Sequence, residues 1–196
     1  MIKLIIFDVG GVILYFNDEI YKHMLSKKSK IRYNELSAVM DPILLKMDIG
    51  KATLKDLERA LRDKFGITKG QMAWNETYKS MAKVDNKMIA LIKKLSNKYD
   101  IAILTNTCRS RYLYAFKKFM NKDLFNGRFA SCYLGMSKPD GRIFNHVLKK
   151  MHSRSSESVF IDNMEQNVRG AKMAGINGIK FVNVAQLLRD LKKLGV

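Results

Sequence analysis

The sequence predicts an α/β protein in which a doubly wound parallel sheet carries a small helical insertion after its first strand. Three apolar runs predict the sheet. Leu4-Ile5-Ile6-Phe7, Ile101-Ala102-Ile103-Leu104 and Val159-Phe160-Ile161 lack polar alternation, as strands covered on both faces do, and each ends on a polar residue. Helically spaced apolar residues flank the later runs, the alternation expected of a parallel sheet with helices on both faces. Between Tyr21 and Met81 the spacing is helical throughout, which predicts the insertion.

The first strand ends on Asp8 and leads into Gly10 and Gly11. A lone acid at the carboxyl end of a buried strand sits where open α/β sheets bind ligands, and the glycines let the backbone turn and approach a substrate. Read alone, Asp8 serves equally well as a turn cap, because Asp-x-Gly is common turn chemistry. Helices are expected over Tyr21–Leu25, Tyr33–Met40, Leu54–Phe65 and Gln71–Met81. Leu54, Leu57, Leu61 and Phe65 form the clearest stripe, with Gly66 as its stop. Pro42 is expected to divide the second helix from the segment after it, and Asp48-Ile49-Gly50-Lys51 to turn. Trp74, Tyr78 and Met81 are expected in the core of the insertion in preference to forming a substrate platform. These limits give an insertion over residues 17–84 and an α/β core over 1–16 and 85–196.

In the second part, Met88, Ile89, Ile92 and Leu95 mark a helix before the strand that ends on Thr105 and Asn106. Arg128–Cys132 reads as a short strand. Ser137-Lys138-Pro139-Asp140 is a Pro-fixed turn that holds one Lys ahead of a helix marked by Ile143, Phe144, Val147, Leu148 and Met151. The strand ending in Asp162-Asn163 is followed by a helix over Asn167–Ala174, stopped by Gly175. Gly178–Val182 supplies a last strand, and Leu187, Leu188, Leu191 and Leu194 an amphipathic terminal helix.

Composition narrows the class. A hydrophobic fraction of 47% suits an ordinary globular protein, and no run reaches the roughly 18 apolar residues of a membrane helix. The first strand begins almost at residue 1, so a soluble, cytoplasmic protein with no membrane partner is expected. Cys108 and Cys132 are too few for a disulfide framework. The 36 basic against 18 acidic residues give a net charge of +18, a field that draws anionic substrates. The lysines are scattered in doublets such as Lys93-Lys94, Lys149-Lys150 and Lys192-Lys193, with no zinc knuckle or aromatic-rich signature. A solvated basic surface is therefore expected in place of a nucleic-acid partner. His23, His146 and His152 lack metal spacing; Arg109 and Arg111, just after Thr105-Asn106, are placed to reach an anionic substrate but read more readily as exposed basic residues opening a helix.

Asp8, Thr105, Lys138 and Asp162, in that order and at strand ends or in an adjoining turn, make up what phosphoryl transfer through a covalent aspartyl intermediate needs. A carboxylate attacks phosphorus, a hydroxyl and an ammonium hold phosphate oxygens, and a second acid helps hold a cation. On these four positions, with Lys138-Pro139-Asp140 and the Asp162-Asn163 and Asn167 cluster, the chain resembles the haloacid dehalogenase superfamily of hydrolases along nearly its whole length. The resemblance implies a Rossmann-like core, a helical cap over the site, and a Mg²⁺-dependent phosphomonoesterase acting on a small phosphorylated metabolite. It implies Asp8 as nucleophile, Thr105 and the Asn106 backbone N–H as phosphoryl donors, and Lys138 as the neutralising cation. Gly11, where the backbone approaches closely, joins Asn106 in substrate binding. Mg²⁺ would be bound by Asp8, the Gly10 carbonyl and Asp162, supported by Asn163 and Asn167. It also sets the strands ending in Asp8 and Asp162 side by side.

Two positions depart from the commonest phosphatase pattern. Gly10 stands where a second Asp usually protonates the leaving group, help worth about 10² to 10⁴ in rate. A Gly-Gly or Gly-Asn branch that includes phosphatases of anomeric sugar phosphates is similar to this chain. Asn163 replaces an Asp beside the metal ligand, which removes one negative charge. A metal-free dehalogenase of the same fold and a catalytically weakened phosphate- or polyanion-binding module are the competing readings. Retention of Asp162 and Asn167 opposes the first, and retention of Asp8, Thr105 and Lys138 the second.

Overall fold

The computed structural model describes residues 1–16, 18–119 and 122–196. The chain opens with β1 (Leu4–Phe7) and the short β2 (Leu14–Tyr15), then enters five helices: α1 (Asp18–Ser29), α2 (Tyr33–Asp48), α3 (Leu54–Phe65), α4 (Lys69–Met72) and α5 (Trp74–Met81). It returns through β3 (Lys83–Val84), antiparallel to β2. There follow α6 (Asn86–Leu95), β4 (Asp100–Thr105), α7 (Arg109–Phe119), β5 (Gly127–Ala130), α8 (Ser131–Leu134) and α9 (Gly141–Lys150). The last elements are β6 (Ser158–Asp162), α10 (Glu165–Met173), β7 (Asn177–Lys180) and α11 (Val184–Lys193). Asn17, where the insertion is expected to begin, lies outside the described residues.

β1, β4, β5, β6 and β7 form one parallel sheet in the order β5-β4-β1-β6-β7. The apolar runs feed both faces by alternation. Ile5, Phe7, Ile101, Ile103, Val159 and Ile161 pack toward α6 and α11, through Met88, Ile92, Leu187 and Leu191. Leu4, Ile6, Ala102, Leu104 and Phe160 pack on the other face, against Ile143, Phe144 and Val147 of α9 and Ala171 of α10. This is the doubly wound arrangement expected from the sequence.

The inserted helices have a core of their own, built from Tyr21, Leu25, Leu36, Met40, Leu57, Leu61 and Trp74. Capping fixes their ends: Thr53 and Asp56 form a reciprocal box at the start of α3, and Gly66, at φ 67°, closes it in the left-handed region. Three expectations need correction here. Pro42 lies inside α2 and does not end it, because Leu36, Met40 and Met47 continue one buried face across it. The carbonyl that loses its donor is that of Ala38, an exposed residue, so the interruption is not sealed in a core. Residues 71–81 are two helices, broken at Ala73, whose φ of 41° is left-handed. The break allows Met72 and Trp74 both to face inward, where Tyr21 donates to the Met72 carbonyl at 2.7 Å and packs edge-on to Trp74. The strand expected over 128–132 stops at Ala130, and Ser131 and Cys132 open α8.

Gly170 shows how the fold positions the Lys138 turn. A Cβ on this α10 residue would fall on the Pro139 carbonyl, so α10 meets the turn backbone to backbone. Replacing a helical Gly with Ala ordinarily gains about 0.5–1 kcal/mol. Gly170→Ala is expected to do the reverse and lower the urea midpoint of unfolding. A raised midpoint would contradict this packing.

Candidate active site

The carboxyl edge of the sheet gathers residues that are far apart in sequence. Phe7 is in register with Ile103 of β4 and Ile161 of β6, so Asp8 comes level with Leu104 and Asp162, and Thr105 lies one residue beyond. The Asp8 N–H donates to the Ile161 carbonyl at 2.8 Å, which fixes it at the seam of β1 and β6. Asp8, Thr105 and Asp162 are all buried. Each strand is apolar up to this edge, so the first polar side chain after each run is held by a core that cannot shift.

Lys138 reaches this edge from the turn between α8 and α9. Its ammonium donates to Asp8 Oδ1 at 2.6 Å, to Asp162 Oδ2 at 2.7 Å and to the Leu104 carbonyl at 3.0 Å. All three donors of a lysine are thereby used, inside a site where Lys138 is only 4% exposed. Burial pulls the Lys138 ammonium down, but Asp8 and Asp162 more than reverse this, and its pKa is raised. Burial pushes the Asp8 carboxyl up, Lys138 opposes it and Asp162 adds repulsion, for a pKa of about 6.

The turn is locked to β4 by a contact that the sequence does not signal. The Asn106 side chain donates to the Lys138 carbonyl at 2.9 Å and accepts from the Lys138 N–H, also at 2.9 Å. Thr107 N–H donates to Ser131 Oγ at 3.0 Å and ties the same loop to α8. These residues are separated by 32 and 24 positions, and no local pattern announces the pairing.

Asp8, Gly10, Gly11, Thr105, Asn106, Lys138, Asn163 and Asn167 line one cleft of about 900 Å³. Asp162, fully buried, lies behind them and accepts from Lys138, from Asn167 Nδ2 at 3.0 Å and from the Met164 N–H at 2.7 Å. Gly11 has φ 81°, and its N–H is committed to the Leu14 carbonyl at 2.9 Å. A Cβ at Gly11 would fall on the Asn163 amide, so this glycine provides close approach and no donor. At Gly10, by contrast, a Cβ would meet nothing within 4 Å. Glu19, Ile20, Asp48 and Met81 line the cleft from the inserted helices.

Two expectations change. Arg111 is buried, not exposed: its guanidinium packs over Phe16, Trp74 and Tyr78, with ring centroids 4.5, 4.2 and 5.4 Å away. Arg109 stays near the surface, over Tyr133. Met81 faces the cleft, whereas Trp74 and Tyr78 are buried as expected.

The donor chemistry fits a hard divalent cation. Two carboxylates share one ammonium, which leaves the buried cluster short of positive charge. Asn163 Oδ1 and Asn167 Oδ1 are buried without a hydrogen-bond donor. Orphaned oxygens beside carboxylates are what a cation of the Mg²⁺ type satisfies. Among the described residues no group of three His, Cys, Asp or Glu side chains gathers, so amide and carbonyl oxygens must complete any donor set.

Known proteins resemble this chain along most of its length. A sesquiterpene phosphatase from Aspergillus oryzae is 24% identical, covering 98% of this chain and 96% of the relative. A D-ribitol-5-phosphate phosphatase from Bacteroides thetaiotaomicron is 24% identical over 97% of both. An enzyme of the haloacid dehalogenase family from the same bacterium, solved with magnesium and inorganic phosphate, superimposes with a TM-score of 0.83 at 23% identity, covering 95% of this chain and 99% of that one. The model of the haloacid dehalogenase-like hydrolases matches residues 2–175, and with the strand-end arrangement of the site it shows that the chain belongs to this family of hydrolases.

Proposed function

We propose that the chain is a Mg²⁺-dependent phosphomonoesterase that acts on a small phosphorylated metabolite through an aspartyl phosphate on Asp8. The observation that carries this reading is the Lys138 ammonium held between the Asp8 and Asp162 carboxylates beside two orphaned amide oxygens. Asp8 attacks phosphorus as the bond to the leaving oxygen breaks. Water then attacks the same phosphorus, frees inorganic phosphate and restores the carboxylate.

Lys138 keeps Asp8 available as the anion, against the burial that pushes its pKa up, and offsets repulsion between Asp8 and the incoming phosphate. The Thr105 hydroxyl and the Asn106 backbone N–H donate to the phosphoryl oxygens. Asn106 also fixes where Lys138 sits. Asp8, the Gly10 carbonyl and Asp162, supported by Asn163 and Asn167, would hold Mg²⁺, which when bound supplies positive charge to a phosphoryl oxygen. Residues 17–84 act as a cap, a role supported by the residues that α1, α2 and α5 bring to the cleft.

If Asp8 attacks, Asp8→Asn loses more than about 10³ in turnover while its unfolding curve stays near that of the parent. Phosphate release from 4-nitrophenyl phosphate measures this. Excess chelator abolishes release, and Asp162→Ala raises the Mg²⁺ concentration needed for half-maximal rate. Asn163→Asp lowers it, because a charge is restored next to the cation. Undiminished phosphate release in excess chelator would contradict the Mg²⁺ requirement.

Gly10 makes the rate depend on the leaving group, since no side chain there delivers a proton to a departing alkoxide. Aryl phosphates and anomeric sugar phosphates should turn over much faster than alkyl phosphates. The open space around Gly10 leaves room for Gly10→Asp, which should narrow that gap. Equal rates across leaving groups in the parent protein would contradict the assignment of Gly10 as a missing acid.

A further inference from the structure

The residues of the sheet edge account for one end of the cleft only. Its volume of about 900 Å³ far exceeds what a phosphoryl group fills and suits a whole small-molecule ligand. Although the cleft holds the polar residues of the site, more of its surface is apolar than polar. Tyr15 of β2, Ile20 of α1 and Met164, between β6 and α10, line it while 45%, 49% and 48% exposed. Apolar side chains exposed singly need no explanation, but three from separate elements that meet at one cleft mark a surface for a ligand to cover. Phe16 and Met81 extend that surface. Glu19, Asp48, Lys83 and Gln166 share the wall, and Lys22 engages Glu19 at 2.6 Å.

The apolar surface continues past the cleft. Met24 stands one helical turn from Ile20 on α1, and Thr77 one turn from Met81 on α5; both line a second cavity of about 380 Å³. A turn rises about 5.4 Å, so the cleft and this cavity are consecutive along the same two helices. Most of the second cavity's surface is apolar, from Met24, Leu25, Met72 and Ala73 among others, and Met24 is itself half-exposed. Lys27, Lys28 and Gln71 stand around it, exposed side chains whose methylene stems cover apolar surface while their polar heads stay in water.

We propose that the substrate is a phosphomonoester with an extended apolar tail, its phosphoryl group at Asp8 and its tail running past Ile20 and Met81 toward Met24 and Thr77. The proposal rests on the phosphatase reading of the cleft. Ile20 and Met24 are then binding residues that set the preference for tail length. Gly10 constrains the oxygen on which the leaving group departs, and the groove constrains the body behind that oxygen, so both apply to one substrate. Short, strongly polar phosphomonoesters leave the apolar wall in water and gain nothing from it.

The test uses the full chain with Mg²⁺ and a series of 4-alkylphenyl phosphates bearing methyl, butyl and octyl chains, each kept below its micelle-forming concentration. Their leaving groups have nearly the same pKa, so Gly10 affects all three alike. From methyl to octyl, kcat/KM should rise about tenfold or more, mainly through KM, because binding that is equal in ground and transition states lowers KM alone. Burial of about two methylenes supplies that factor. Ile20→Gln should reduce the gain already at butyl. Met24→Gln should remove the further gain at octyl and keep that at butyl. Both residues are half-exposed and Gln favours a helix, so neither substitution opens a core. A kcat/KM that is flat across chain length overturns the groove, as does a gain that survives both substitutions. A loss shared equally by all three substrates marks the two residues as structural and overturns it too. Turnover of 4-nitrophenyl phosphate is measured alongside. If it proceeds without any chain-length effect, the groove alone fails; if no substrate in the set releases phosphate, the phosphatase reading fails and the groove with it.

Discussion

The Lys138 ammonium, buried between Asp8 and Asp162 at 2.6 and 2.7 Å, is the contact on which the arrangement of the carboxyl edge depends. Two carboxylates at neighbouring strand ends repel one another in a medium that screens poorly, and the ammonium between them offsets that repulsion. Removing the ammonium from such a buried cluster is expected to cost about 3–5 kcal/mol, because the two carboxylates are left uncompensated, whereas neutralising Asp8 leaves Lys138 paired with Asp162. The rest of the fold is arranged to bring the ammonium to this spot. Asn106, one residue past β4, grips the Lys138 backbone, and Gly170 lets the turn lie directly on α10. The Leu104 carbonyl takes the third donor.

The same cluster explains why the two departures at Gly10 and Asn163 are compatible with a working site. Asn163 sits against Gly11, at a point where a Cβ on Gly11 would not fit. Its amide preserves an oxygen that faces no donor, at the expense of one charge. In the proposed reaction Gly10 offers no proton donor on the leaving-group side, while Asp8, Lys138 and Thr105 stay at one edge of the cleft. On that proposal attack on phosphorus keeps its machinery, and the burden moves to the substrate, whose leaving group must tolerate departure as an anion.

Much of the sheet and the membership of the site are legible in the sequence. Unbroken apolar runs ending in Asp8, Thr105 and Asp162 can be little else than buried parallel strands, and strand ends on one edge must lie close together. The hidden features depend on contacts between distant positions or on packing that overrides local preference. Pro42 reads as a breaker, yet a continuous buried face carries α2 through it. Ala73 adopts a left-handed conformation that nothing nearby announces. Arg111 reads as a solvated residue because basic side chains at the start of a helix usually are, and only the fold brings Phe16, Trp74 and Tyr78 around it. The Asn106 clamp spans 32 residues and has no local signature.

The central claim is that Asp8 itself becomes phosphorylated, and the most direct measurement is mass spectrometry of the protein quenched in acid during turnover of 4-nitrophenyl phosphate with Mg²⁺ present. The account predicts one phosphoryl group on the peptide that carries Asp8, removed by hydroxylamine as an acyl phosphate is and absent when substrate is omitted. Phosphorylation of a different residue, or label from ¹⁸O-water entering the Asp8 carboxylate in a single turnover in place of the released phosphate, would contradict it.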